Sequence, residues 1–320
     1  MKKDIPKILD QELIDKYLAA LTRPINLELL NEMTSGKYSH SSLLAIRKDW
    51  QLFHEFCVEM HVNSLPASVT AVRRFIDKQS KSRKYSSIRR YVITIGMFHY
   101  LLGFKDPTSH RQVGFSLSEL RTSEKHQSVE TNPFTDKHLN ELNKRLFTSN
   151  EALDIRDLAI YFCMYECALK RHELRELTHS SLRIEPNLVA IEISDQLYIL
   201  SEQGSIAMIK WLEVSSAQGD IVFCSIDRHG NLSGRQLNDS SIYRILRRAS
   251  ALLSLPEHLK FSSQSGRVGQ VKKRAKSGQN IIEIQDFGRW SSPAMPLQYA
   301  GKLDSSDKQK QKFRHKKEWD

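Results

Sequence analysis

The sequence predicts a mainly α-helical chain with one small antiparallel sheet, arranged as an all-helical first half and an α+β second half. Three observations carry this. Apolar residues recur at helical spacing from Ser39 to Leu102, whereas strict alternation is clear only in residues 188–193, LVAIEI. Between Arg121 and Pro133 the segment TSEKHQSVETN loses its apolar period. At 320 residues the chain therefore reads as two domains, 1–125 and 133–320, joined by a linker over 126–132.

Residues 1–36 form a polar lead with amphipathic stretches at 14–21 and 25–30. Leu43, Leu44, Ile46, Trp50, Phe53 and Phe56 then fall on one helical stripe. Ser68 is placed to cap a helix over 69–76, and a further helix over 85–102 carries Ile88, Tyr91, Ile95, Phe98 and Leu102 before Gly103 stops it. That gives four or five helices and no strand. In the second half, 134–147 and 154–177 read as helices, the latter (DIRDLAIYFCMYECALKRHELREL) with a wide apolar face. Residues 188–193, 198–200 and 206–209 form the predicted sheet. A short apolar run at 221–224 ends in the turn residues Asp227-Arg228-His229-Gly230, and a helix returns over 237–253.

Composition narrows the partners. Lys+Arg 48 against Asp+Glu 37 gives net +11 and a pI near 9.4, a balance that favours a polyanion. Cations cluster at Arg73, Arg74, Lys84, Arg89 and Arg90, again at Arg244, Arg247 and Arg248, and at Lys272 and Lys273. Such clusters suit salt-sensitive contact with a phosphate backbone, the alternative being solvated helix faces. Four dispersed cysteines, with no histidine at ligand spacing from Cys163 and Cys167, indicate neither a disulfide framework nor a zinc site. A reduced cytoplasmic setting fits, and no apolar run reaches the roughly 18 residues of a membrane span.

The densest chemistry lies in residues 261–303. Arg267 stands among small residues (Ser265-Gly266-Arg267-Val268-Gly269), a basic helical segment follows, then Gly288-Arg289-Trp290 and, nine residues on, Tyr299. A helix entered through small residues turns backbone N–H groups toward an anion, and an arginine there offers a fork for two phosphate oxygens. Trp290 can wall a pocket and donate through its indole, and Tyr299 brings a hydroxyl. Taken singly, these are equally well core aromatics and a surface cation.

In this order and spacing, with the words RVG, EIQDFGRW, MPLQYA and LDS, the block resembles the catalytic end of the tyrosine recombinases, or phage-type integrases, most closely the Cre-like members. The helical half, through SHSSLLAIRKDWQLFHEFC, LPASVTAVRRFI and SIRRYVITIGMFHYLLGFKDPT, resembles their core-binding, SAM-like domain. The resemblance implies a two-domain, C-shaped clamp on double-stranded DNA. It implies site-specific cleavage and rejoining through a 3′-phosphotyrosine, with no metal or other cofactor, for recombination or integration of a mobile element. It also implies self-association on DNA as a tetrameric synapse, in which a second recombinase is an alternative partner and the C-terminal tail docks on a neighbour.

Residue by residue, the nucleophile matches Tyr299, the second arginine Arg267 and the His/Trp position Trp290. The first arginine of an L-R-x-x-E-L word is held by Lys170, and its acid by Glu173. Gln264 replaces a histidine three residues before Arg267. No lysine occurs between Leu188 and Ile209, where the family's general acid belongs; Asp195, Gln196 and Tyr198 stand there instead. These substitutions leave two functions open: an atypical but working recombinase, or a catalytically impaired relative that binds sites as an accessory or regulatory protein.

Overall fold

The computed structural model describes residues 5–124, 131–215 and 219–301. Most of the predicted linker and the tail beyond 303 lie outside the described residues. The chain divides into two compact units, Met1–Val129 and Glu130–Asp320.

The first unit is helical: α1 (Gln11–Leu21), α2 (Leu27–Met33), α3 (His40–Glu59), α4 (Val69–Ser80), α5 (Tyr85–Leu101) and α6 (Arg111–Glu124). Side chains of Asp10, Asn26, Ser39 and Ser68 cap the first four, as their acceptor oxygens allow. Aromatic residues fill the centre. Trp50 stacks at a tilt on Phe98 with ring centroids 4.7 Å apart and donates its indole N–H to the Leu21 carbonyl at 2.9 Å. Leu44 departs from the predicted stripe and faces solvent. Helix α6 escaped the sequence pattern because its apolar residues are sparse, and Phe115 among them is exposed.

The second unit is built on α8 (Ala152–Glu166), whose residues from Ile155 to Tyr165 are all buried. Around it stand α7 (Asp136–Leu146), α10 (Glu202–Ser215) and α12 (Ser265–Lys276). The predicted helix 154–177 is not continuous. It breaks after Glu166, with Ala168 in the left-handed region (φ 47°), and resumes as α9 (Arg171–Glu176) with Lys170 at its N-cap. The apolar pattern runs through Cys167, Leu169 and Leu174, all buried, so periodicity carries no sign of the break. Strands β1 (Leu182–Glu185), β2 (Leu188–Ile193) and β3 (Gln196–Ile199) form an antiparallel sheet in that order. Residues 206–209, expected as a strand, lie inside α10. There Ala207, Met208 and Trp211 fall on one helical face and are buried. Cys224 joins β4 (Cys224–Ile226), which pairs with β5 (Leu232–Gln236) around a turn held by Asp227. Then come α11 (Asp239–Leu252), α12, α13 (Ile281–Phe287) and α14 (Ala294–Tyr299).

Two glycines set the depth of α12 against α8. A Cβ on Gly269 would run into the Phe134 carbonyl oxygen, and one on Gly266 would lie 2.7 Å from the Met164 carbonyl oxygen. Arg267, between them, is carried into the interior by this close approach.

Candidate active site

Arg267 is 3% exposed although it is an arginine. One terminal nitrogen donates to the Ala168 carbonyl at 2.7 Å and the other to the Gly288 carbonyl at 2.8 Å. Its guanidinium lies 4.0 Å from the centre of the Trp290 ring, a desolvated cation–π contact. Burial, reinforced by a neighbouring guanidinium and opposed by Glu173, lowers its pKa to about 10, so it stays charged near neutral pH.

The neighbouring cation is Arg289, which follows Gly288 in the turn between α13 and α14 and has left-handed backbone (φ 54°). Its Nε and Nη2 grip the two oxygens of Glu173 at 2.9 and 2.7 Å, both side chains being 7% exposed. Nη2 also reaches the Cys167 and Ala168 carbonyls at 3.2 Å, while Nη1 donates to the Phe287 carbonyl and the Tyr198 hydroxyl. Glu173 further accepts the backbone N–H of Lys170 at 2.7 Å, and the Lys170 ammonium stands 3.1 Å from its Oε1. Burial alone would raise the Glu173 pKa, but the hydrogen bonds and charge of Arg289, with the Lys170 N–H, overcome it and hold the carboxyl at about 2.

Tyr299 ends α14, edge-on to Trp290 with ring centroids 6.3 Å apart. Burial raises its pKa and the charge of Arg267 opposes the rise. Tyr299, Trp290, Arg267, Arg289, Glu173 and Lys170 are thus one contiguous set drawn from α9, α12 and the α13–α14 region.

Other predicted site residues are placed differently. Gln264 is exposed just ahead of α12. The β2–β3 connection is a two-residue turn, Ser194-Asp195, with φ of 49° and 64°. Gln196 lies 2.5 Å from the Tyr198 hydroxyl. Among the cations, Arg73, Arg74, Lys84, Arg89 and Arg244 are exposed. Lys272 is partly buried on α12. Four pair within the chain: Arg90, itself exposed, with buried Asp49 (2.7 Å), exposed Lys273 with Asp136 (2.7 Å), Arg247 with Glu257 (2.5 Å), and Arg248 with Asp154 and Asp157. Arg248 belongs to a second charged cluster, where Asp157 also takes the Arg156 guanidinium at 2.7 Å.

In the sequence Arg289 stands in the word EIQDFGRW with no role attached to it. The signal present in the sequence was an arginine directly before the indole. Its role depends on a left-handed turn that reverses the side chain toward Glu173, which spacing alone does not reveal.

The fold is that of the site-specific tyrosine recombinase and integrase family. The phage integrase family matches residues 133–305, more than half of the sequence, and the chain belongs to that family. It is 26% identical over 277 residues to an integrase/recombinase of Selenomonas ruminantium described as a XerD homologue, covering 81% of each chain. It is 21% identical over 296 residues to recombinase Cre of Escherichia phage P1, covering 84% of this chain and 85% of that one. Among solved structures, the XerH site-specific recombinase in a post-cleavage complex with its palindromic difH substrate superposes with a TM-score of 0.63 at 12% identity, over 93% of this chain and 87% of that one. Among the described residues, no helix is long and apolar enough to cross a membrane.

Proposed function

We propose that the chain cleaves and rejoins double-stranded DNA at a specific site, with Tyr299 as nucleophile. The observation that carries this is the chain of contacts from Tyr299 to Trp290 to buried Arg267, which brings the tyrosine within the electrostatic reach of a desolvated guanidinium. The Tyr299 oxygen attacks the scissile phosphorus, the bond to the 5′-oxygen breaks, and a 3′-phosphotyrosine forms. Arg267 and the Lys170 ammonium stabilise the charge that builds on the non-bridging oxygens, and Trp290 bounds the pocket. Rejoining reverses the step. The exposed cations Arg73, Arg74, Lys84, Arg89 and Arg244 supply sequence-independent grip on the duplex. Subunits assemble on the DNA as a tetrameric synapse, which sizing of the protein–DNA complex tests.

The lysine-free hairpin and the exposed Gln264 favour a second function, in which the chain occupies sites without cutting them. A missing general acid costs roughly 10²–10⁴ in rate. A duplex nicked beside the scissile phosphate separates the two, because loss of the short fragment traps the covalent intermediate. The expected result is a covalent adduct with the wild-type chain and none with Tyr299→Phe, at equal DNA affinity and unfolding temperature. An adduct with phenylalanine at 299 would assign attack to another group. No adduct from either the wild type or a Gln264→His/Gln196→Lys variant would leave the accessory, binding-only function.

A further inference from the structure

Two cationic side chains from different parts of the sequence converge on one carboxylate. The Lys170 ammonium is 3.1 Å from Glu173 Oε1, and Arg289 Nε is 2.9 Å from the same oxygen. A side chain rooted at 170 therefore reaches a carboxylate oxygen at the edge of the place that the Arg289 guanidinium occupies. Arg289 fills that place completely: its five N–H groups are directed at both Glu173 oxygens, the Tyr198 hydroxyl, the Phe287 carbonyl and the Cys167/Ala168 carbonyls. It shares the Ala168 carbonyl with Arg267, so the two guanidinium groups are neighbours.

The charge balance gives this arrangement its consequence. Glu173 with Lys170 alone would form a neutral pair beside Arg267. Arg289 satisfies the carboxylate with a two-point grip, and Lys170, whose side chain is 33% exposed, is left with one contact to it and an accessible ammonium. The net charge of Arg267, Arg289, Lys170 and Glu173 is then +2, in a setting where water screens poorly.

We infer that Arg289 is a positioning residue that has taken over, from the turn before Trp290, the anchoring of Glu173 that an arginine at 170 would provide, and that it thereby frees Lys170 to face the phosphate. This rests on the strand-cleavage function proposed above. Arg289 itself has no donor left for substrate and acts through Glu173 and Lys170. The left-handed backbone at 289, uncommon for a residue with a Cβ, fits a residue held there by what its side chain does.

The test is a rescue on the full chain with the nicked duplex. Arg289→Gln is expected to lower the adduct-forming rate at least 100-fold. Lys170→Arg alone is expected to bring no gain, because two guanidinium groups then compete for one carboxylate. Lys170→Arg/Arg289→Gln is expected to recover at least tenfold over Arg289→Gln. A residue that only fills space would show no such rescue. An unchanged rate in Arg289→Gln, or a double variant no faster than the single one, overturns the inference. Thermal unfolding at pH 3 and pH 6 reads the same four proteins without any cleavage. Arg289→Gln should lose the part of the wild-type difference that Glu173 contributes, beside the shares of Asp154, Asp227 and Glu257, and the double variant should regain it. If the wild type forms no adduct but this pattern of loss and recovery appears, the cleavage function fails while the exchange of anchors stands. If the pattern is absent, the exchange fails whatever the adduct shows.

Discussion

The second unit buries two clusters made from similar side chains, and they differ in their sums. In one, Arg156 and Arg248 face Asp154 and Asp157, two positive against two negative, with Arg156 and Asp157 almost wholly buried. In the other, Arg267, Arg289 and Lys170 face Glu173 alone. The first is closed: each charge has an opposite, and its work is to tie α8 to α11. The second keeps an unmatched positive excess around half-buried Tyr299, and holding such an excess away from water is costly unless an anion arrives. On the function proposed above, what sets the candidate site apart is this imbalance rather than burial or the presence of arginine.

The comparison breaks first at Asp157. Asp157→Ala leaves buried Arg156 without a carboxylate, with only the Cys224 carbonyl at 3.4 Å, and should lower stability by about 3–5 kcal/mol in urea unfolding, while the adduct rate of the folded protein stays near wild type. A loss under about 1 kcal/mol would mean that the closed cluster is not structural. Arg267→Lys should show the opposite profile, because an ammonium cannot span two phosphate oxygens. The adduct rate falls roughly 10²–10³-fold, with a stability loss of about 1–3 kcal/mol from the two carbonyls it leaves short. A rate within threefold of wild type would remove Arg267 from the reaction.

Acid sharpens the contrast. The Glu173 carboxyl has a folded-state pKa of about 2 against an ordinary 4.5. A depressed carboxyl stabilises the fold above the unfolded value, and this contribution, on the order of 3 kcal/mol, drains away as pH falls from about 4.5 toward 2. Unfolding free energy measured down that range should therefore drop more steeply for the wild type than for Glu173→Gln; parallel curves would contradict the grip of Arg289. The smallest effect belongs to an exposed pair. Arg183 and Glu192 meet at 3.0 Å across β1 and β2 with side chains 66% and 46% exposed, so Glu192→Ala should change stability by less than about 1 kcal/mol.

Much of this was legible beforehand. Helical spacing located the elements of the first unit from Trp50, Phe53, Ile88 and Phe98, and the block from Gln264 to Tyr299 holds Arg267, Arg289, Trp290 and Tyr299, which lie side by side in the second unit. Three features were hidden for physical reasons. Cys167, Leu169 and Leu174 stay apolar through the break after α8, since a buried turn needs the same side chains as a buried helix. Residues 206–209 read as a strand because four residues are too few to separate a period of 2 from one of 3.6. Arg248 reads in the sequence as one of a DNA-facing cationic group, and its ion pairs are hidden there because Asp154 and Asp157, about ninety positions earlier, are brought to it only by folding.

The acceptors that cradle Arg267 and Arg289 include the carbonyls of Cys167, Ala168, Phe287 and Gly288, all main-chain atoms. No point substitution deletes a carbonyl. A receptacle built this way outlasts the identity of any one side chain, so a guanidinium can enter it from a different place in the sequence over evolutionary time, provided the peptide at 168 keeps its orientation. A lysine at 170 therefore does not leave the receptacle empty, because a guanidinium reaches it from 289.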